Sequence, residues 1–257
     1  MMLTALFAVA FPLATGTACC PAGTELTMSE PHVEAEQARN LNVLVFSKTA
    51  GFRHDSIPAG HQMWRQLAER NGFRVQASED SNLFTPERLK DFDAVVFLNT
   101  TGDILNEEQQ RALQGFIRAK KGFIGIHAAA DTEYGWPWYG QLVGAYFKSH
   151  PHIQPADVTV DTNHPTTAML PRNWRRNDEW YCYRSAPSPS VRILGRLQES
   201  SYQGGTMGAN HPIMWCHEFD GGRAWYTGMG HTQETYGEPL FQANALAALI
   251  WVTRRNP

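Results

Sequence analysis

His127 ends a short apolar run, Gly122 to Ile126, and small residues follow it at once in GFIGIHAAADT. An imidazole so placed sits at the carboxyl edge of a buried strand, the edge where open α/β sheets bind ligands. Hydrolases of this architecture present a Ser or Cys nucleophile on a tight strand-to-helix elbow at that edge, but here the position holds histidine. The chemistry expected is therefore electrostatic or acid/base, not covalent. Asp131 follows closely enough in sequence to orient the ring. The competing reading is a core histidine bonded to backbone.

Other residues could join it. His54 and Asp55 lie in the polar loop GFRHDS after the first strand, facing the same cleft or, alternatively, a solvated His54 beside a capping Asp55. His150 and His152 flank Pro151, which stiffens their loop; His150 is expected in the cleft and His152 in solvent. Asp178-Glu179-Trp180-Tyr181 sets two carboxylates beside two aromatics, a mixture that grips sugar hydroxyls and stacks on ring faces unless the aromatics plug the core. His164-Pro165 and His211-Pro212 read as structural turns.

The elements that must position these groups alternate. Asn42 to Phe46, Gly72 to Ala77, Ala94 to Leu98 and Gly122 to Ile126 read as strands, with helices over Pro58 to Arg70 and from an Asn106 cap to about Ala119 between them. Such alternation predicts a doubly wound α/β fold, a mostly parallel sheet with helices on both faces, because each parallel crossover needs a helix to return the chain. Further on, Trp136 to Val143 reads as a helix. Val158 to Val160, Val191 to Leu197, Ile213 to Phe219 and Ala224 to Gly228 read as strands, some extending the sheet as antiparallel edges. Glu238 to Trp251 closes the chain as an amphipathic helix.

With 42% hydrophobic residues, 18% charged residues and a net charge of -3, nothing in the bulk electrostatics recruits nucleic acid or an anionic membrane. A small neutral partner is expected. Residues 1–20 read as a signal peptide built on the apolar run Leu3 to Leu13, with a lipoprotein anchor at Cys19 as an alternative, and residues 21–40 as a linker to a domain over 41–253. Export to the periplasm or the extracellular space follows, with no transmembrane span in the mature chain and oligomeric state left open. In an oxidising compartment Cys182 and Cys216 could pair, though neither is assigned a catalytic role.

VLVFSKTAGFRHDSI, GFIGIHAAADT, FKSHP, DEWY, HPIMW and GRAWYTGMGHT, in this order from Leu41 to Trp251, resemble the ThuA-like (trehalose-utilisation) family. The resemblance implies a flavodoxin-like, class I glutamine amidotransferase-like fold, carbohydrate catabolism beside oxidoreductases that make 3-keto sugars, and no amidotransferase cysteine. It also carries the triad histidine of that fold to His231, after the strand Ala224 to Gly228. His54, His127 and His231 then form a candidate site for a divalent metal such as zinc, without a nucleotide cofactor, while a metal-free acid/base pair stays open. On an oxidised sugar, His127 and His231 would polarise the ketone, with Asp131, Glu179 or His54 moving the proton next to it. Asp55, His150, Asp178, Trp180 and Tyr181 would bind a small carbohydrate. The alternatives are a non-catalytic sugar-binding protein and a metal-dependent glycoside or amide hydrolase.

Overall fold

A computed structural model describes residues 37–253, so the expected leader and most of the expected linker lie outside the described residues. The end of that linker belongs to the fold. Ala38 is buried, and the Asn40 N–H donates to the Gly72 carbonyl.

The chain forms β1 (Asn42–Phe46), α1 (Ile57–Asn71), β2 (Arg74–Ser78), a one-turn α2 (Pro86–Leu89), β3 (Ala94–Leu98), α3 (Glu107–Arg118) and β4 (Gly122–Ile126). There follow α4 (Pro137–Val143), β5 (Phe147–Ser149), β6 (Gln154–Val160), β7 (Asn173–Asp178), β8 (Cys182–Tyr183), β9 (Arg192–Leu197), β10 (His211–Phe219), β11 (Gly222–Thr227) and α5 (Pro239–Thr253). Nine strands make one sheet in the order β2-β1-β3-β4-β11-β10-β9-β6-β7, and β5 pairs with β8 apart from it. From β2 to β11 neighbouring strands run parallel. Beyond β11 every pairing is antiparallel, a longer extension than edge strands alone.

Local signals explain the parallel half. The β1, β3 and β4 cores are continuous apolar runs, as strands covered on both faces require. Side-chain alternation along β4 shows the cover: a Cβ on Gly122 would meet Val252 of α5, whereas Phe123 points the other way to Tyr139 of α4, ring centroids 6.0 Å apart. Asn106 caps α3 in a full capping box, its side chain accepting from the Gln109 N–H while the Gln109 side chain accepts from its own N–H.

Two expectations are corrected and one strand is added. The last helix is not amphipathic: every residue from Asn244 to Ile250 is buried, because α5 packs on β3, β4 and β11 and is crossed on another side by the Thr166 loop, whose carbonyl takes the Asn244 Nδ2–H at 2.5 Å. Cys182 and Cys216 are both free and buried. The strand β7 has no counterpart in the sequence pattern, since its inward residues are Trp174, Arg176 and Asp178. Among the described residues no helix is long and apolar enough to cross a membrane.

Candidate metal and acid/base centre

Four loops at the carboxyl edge of the parallel strands bring His54, His127, Glu179 and His231 together, with one donor atom from each lying within 4.8 Å of the others. His127 begins the short 3-10 turn His127–Asp131 with φ of 49°, a left-handed conformation that costs an L-residue on the order of 1 kcal/mol. The elbow is thus present, and its strain aims the imidazole out of the strand. Its Nδ1 lies 2.8 Å from the Gly228 carbonyl, which can only accept, so Nδ1 carries a proton and Nε2 faces the cluster.

Around Nε2 the spacing is narrow. Glu179 Oε2 lies 3.4 Å from His127 Nε2 and 3.2 Å from His231 Nδ1, and the two histidine nitrogens are 3.3 Å apart. The second carboxylate oxygen, Oε1, lies 2.9 Å from His150 Nδ1, which is also 2.9 Å from the Pro151 carbonyl. His54 sets its ring 5.0 Å from those of both His127 and His231, and its Nδ1 is buried without a hydrogen-bond partner.

The electrostatics follow from this crowding. Burial drives the His54 pKa down to about 2, helped by the neighbouring His127 and His231, so its imidazole is neutral. Burial by itself would raise Glu179, but the imidazoles of His127 and His231 outweigh it and hold the carboxyl well below the usual carboxylate range. His231 is pulled down by burial and lifted more strongly by Glu179, with Asp178 and Asp55 behind it, ending above its ordinary value.

The loop that carries His231 is held from beneath. Asp178 Oδ2 accepts the Gly230 N–H at 2.9 Å and the Thr235 hydroxyl at 3.0 Å, while Oδ1 accepts the N–H groups of His231 at 3.0 Å and Glu179 at 2.9 Å. The Gly230 carbonyl accepts from Ser56 Oγ, Asn99 Nδ2 and the Tyr236 hydroxyl. Gly230 itself has φ of 118°, and a Cβ there would lie 2.8 Å from Ile126 Cγ2, so the position requires glycine.

Of the residues expected to touch a ligand, three are placed elsewhere. Asp178 and Trp180 are fully buried, and Trp180 donates its Nε1–H to the Gln154 carbonyl. Tyr181 is buried too, its ring 4.0 Å from that of His127, so it backs the imidazole instead of offering a face for stacking. Asp131 does not orient His127; Gly228 does, and Asp131 accepts the Tyr134 hydroxyl at 2.6 Å, with burial raising its pKa. Asp55 is exposed beside the cluster, and Ser56, not Asp55, is the residue at the α1 cap. His150 reaches the cluster through Glu179 with 43% of its side chain exposed, and His152 is exposed. His164 and His211 are buried in turns and strand as structural groups: His164 bonds Thr166, and His211 bridges Glu199 and the Tyr181 carbonyl.

Two contributors are not singled out by residue type in the sequence, although Phe52 lies in the GFRHDS loop. Asn99 ties Ser56, Gly230 and Tyr236 together from the end of β3, and its positive φ of 50° is the one local sign of its role. Phe52 stands exposed beside His54, ring centroids 4.9 Å apart. A cavity of about 720 Å³ opens at the opposite edge of the sheet around Lys121 and Gly222, away from this chemistry.

Comparison with known proteins places the fold. A protein of Bacteroides uniformis ATCC 8492 described as ThuA-like superposes with a TM-score of 0.72 at 23% identity, covering 84% of this chain and 92% of its own. A ThuA-like protein of Parabacteroides merdae ATCC 43184 gives 0.70 at 19% identity, over 84% and 90%. A Thermoplasma acidophilum protein described as part of a GMP synthase gives 0.51 at 13% identity, over 84% and 94%. The architecture is thus the class I glutamine amidotransferase-like fold that the ThuA-like neighbours share. No curated protein matches the chain. Residues 42–252 match the model of the family described as trehalose utilisation, which suggests a carbohydrate-related role, and the chain belongs to that ThuA family.

Proposed function

We propose that the chain is a metal-dependent enzyme acting on oxidised (3-keto) sugars or glycosides by removing the proton next to the ketone, as an isomerase or lyase. The observation that carries the reading is the triangle of His127 Nε2, His231 Nδ1 and Glu179 Oε2, with sides of 3.2, 3.3 and 3.4 Å. Ligands of a tetrahedral zinc ion, bound at 2.0–2.1 Å, stand about 3.3 Å apart, so the three atoms are spaced as the edges of such a shell. Two imidazoles and a carboxylate leave a fourth position for a substrate oxygen, and neutral His54 offers a further nitrogen beside it.

An ion held there would polarise a ketone oxygen and favour the enediolate. The residues supply the rest. His127 is fixed as the Nδ1–H tautomer by Gly228. His150 has Nδ1 committed to Glu179 and the Pro151 carbonyl, which leaves Nε2 of its half-exposed ring to take the C2 proton. The electron pair of that C–H bond moves toward the ketone oxygen. Its return either reprotonates carbon, giving an isomer, or expels the C1 substituent, giving an alcohol and an unsaturated ketone. Asp131, whose pKa burial raises, would return a proton.

Turnover of methyl 3-keto-β-glucopyranoside, followed by NMR in D2O before and after chelation and zinc readdition, tests this. Deuterium entry at C2 that is lost on chelation and restored by zinc is expected. Sugar binding with no exchange and no product in zinc-loaded protein would return the chain to the non-catalytic, sugar-binding reading.

A further inference from the structure

Phe52, at 66%, is more exposed than Ile153 at 43% and Leu240 at 37%, the other large hydrophobic side chains left in solvent among the described residues. One exposed phenylalanine is unremarkable on a protein surface. Three features separate this one. Its ring stands across that of His54 at 87°, so it borders the cluster directly. Its backbone is pinned to buried Thr101: the Ala50 N–H donates to the Thr101 carbonyl at 2.8 Å, the Gly51 N–H to Thr101 Oγ1 at 3.2 Å, and that hydroxyl to the Phe52 carbonyl at 2.8 Å. Finally, Ile153 lies three residues beyond His150, so two exposed apolar side chains sit on the two loops that deliver His54 and His150.

We propose that Phe52 is the platform on which the pyranose ring of the substrate stacks, fixing which ring face looks down on His54, His127, Glu179 and His231. The C–H groups on one face of a pyranose are apolar and weakly positive, and an aromatic face is negative, so the two attract while the hydroxyls point outward to polar groups. A ring carried on a fixed backbone has less freedom to lose in binding. Trp180 and Tyr181 are buried and cannot serve. The inference rests on the carbohydrate reading and goes beyond it, since it assigns ring recognition to a residue outside the cluster.

Isothermal titration of zinc-loaded wild-type, Phe52→Ala and Phe52→Trp protein with methyl 3-keto-β-glucopyranoside and with acyclic dihydroxyacetone provides the test, with zinc content and Tm measured alongside. Phe52→Ala should weaken glycoside binding roughly tenfold, Phe52→Trp should restore it, and dihydroxyacetone affinity, zinc content and Tm should not move. Wild-type glycoside affinity in Phe52→Ala overturns the platform while leaving the proposed reaction intact, and an equal loss for dihydroxyacetone overturns it as well. A loss confined to the glycoside in protein that binds but never turns it over keeps the platform and rejects the reaction. Failure of the wild type to bind the glycoside rejects both.

Discussion

Asp178 and Glu179 are adjacent in sequence, yet their carboxylates serve opposite sides of one strand end. Asp178 turns inward to the N–H groups of Gly230 and His231, and Glu179 turns outward to His127, His231 and His150. The period-2 alternation of extended chain produces this division. One carboxylate builds the loop that the other needs, so His231 is fixed through its backbone by Asp178 and through its ring by Glu179.

Asp178→Asn should therefore damage the fold as well as the centre. The amide would present a donor where four donors already converge, and an uncompensated buried network of this kind costs on the order of 3 kcal/mol. A Tm lowered by about 10 °C, with weakened zinc stabilisation, is the outcome expected in melts with and without zinc. A melt within about 2 °C of wild type would show that Asp178 does not hold the loop.

His150→Gln should separate proton transfer from metal binding. The side chain is partly exposed and outside the triangle, so zinc affinity and Tm should stay near wild type while kcat falls on the order of 100-fold. Unchanged kcat would move the base to Asp131.

Acid should destabilise the metal-free protein through histidines that the fold keeps neutral. Burial lowers His164 to about 4, from an ordinary value of 6.5. Between these values the unfolded chain takes up a proton that the folded chain refuses, so the contribution is full above pH 6.5, falls as pH drops toward 4 and levels off below. His164→Asn should flatten this loss by up to about 3 kcal/mol in urea titrations across roughly pH 4 to 7. An unaltered slope would mean that His164 titrates normally in the fold.

Much of the fold was legible because its signals are local. β1 and β4 are uninterrupted apolar runs closed by turns, and His127 was legible as an elbow because small residues follow a strand there. Glu179 was legible as a carboxylate among aromatics, but the same pattern points to its neighbours as ligand contacts, and the fold buries them. Their burial depends on β7, whose inward face of Trp174, Arg176 and Asp178 breaks the apolar alternation by which a strand is read. Phe52 and Asn99 carry no periodicity at all; each acquires its role only when loops distant in sequence meet at the sheet edge.

Zinc-edge anomalous diffraction from crystals of zinc-loaded wild-type and His127→Ala protein tests the metal centre most directly. One wild-type peak is expected about 2.0–2.2 Å from His127 Nε2, His231 Nδ1 and Glu179 Oε2, and none at that place in His127→Ala. A wild-type map with these side chains in place and no anomalous density among them would contradict the metal centre.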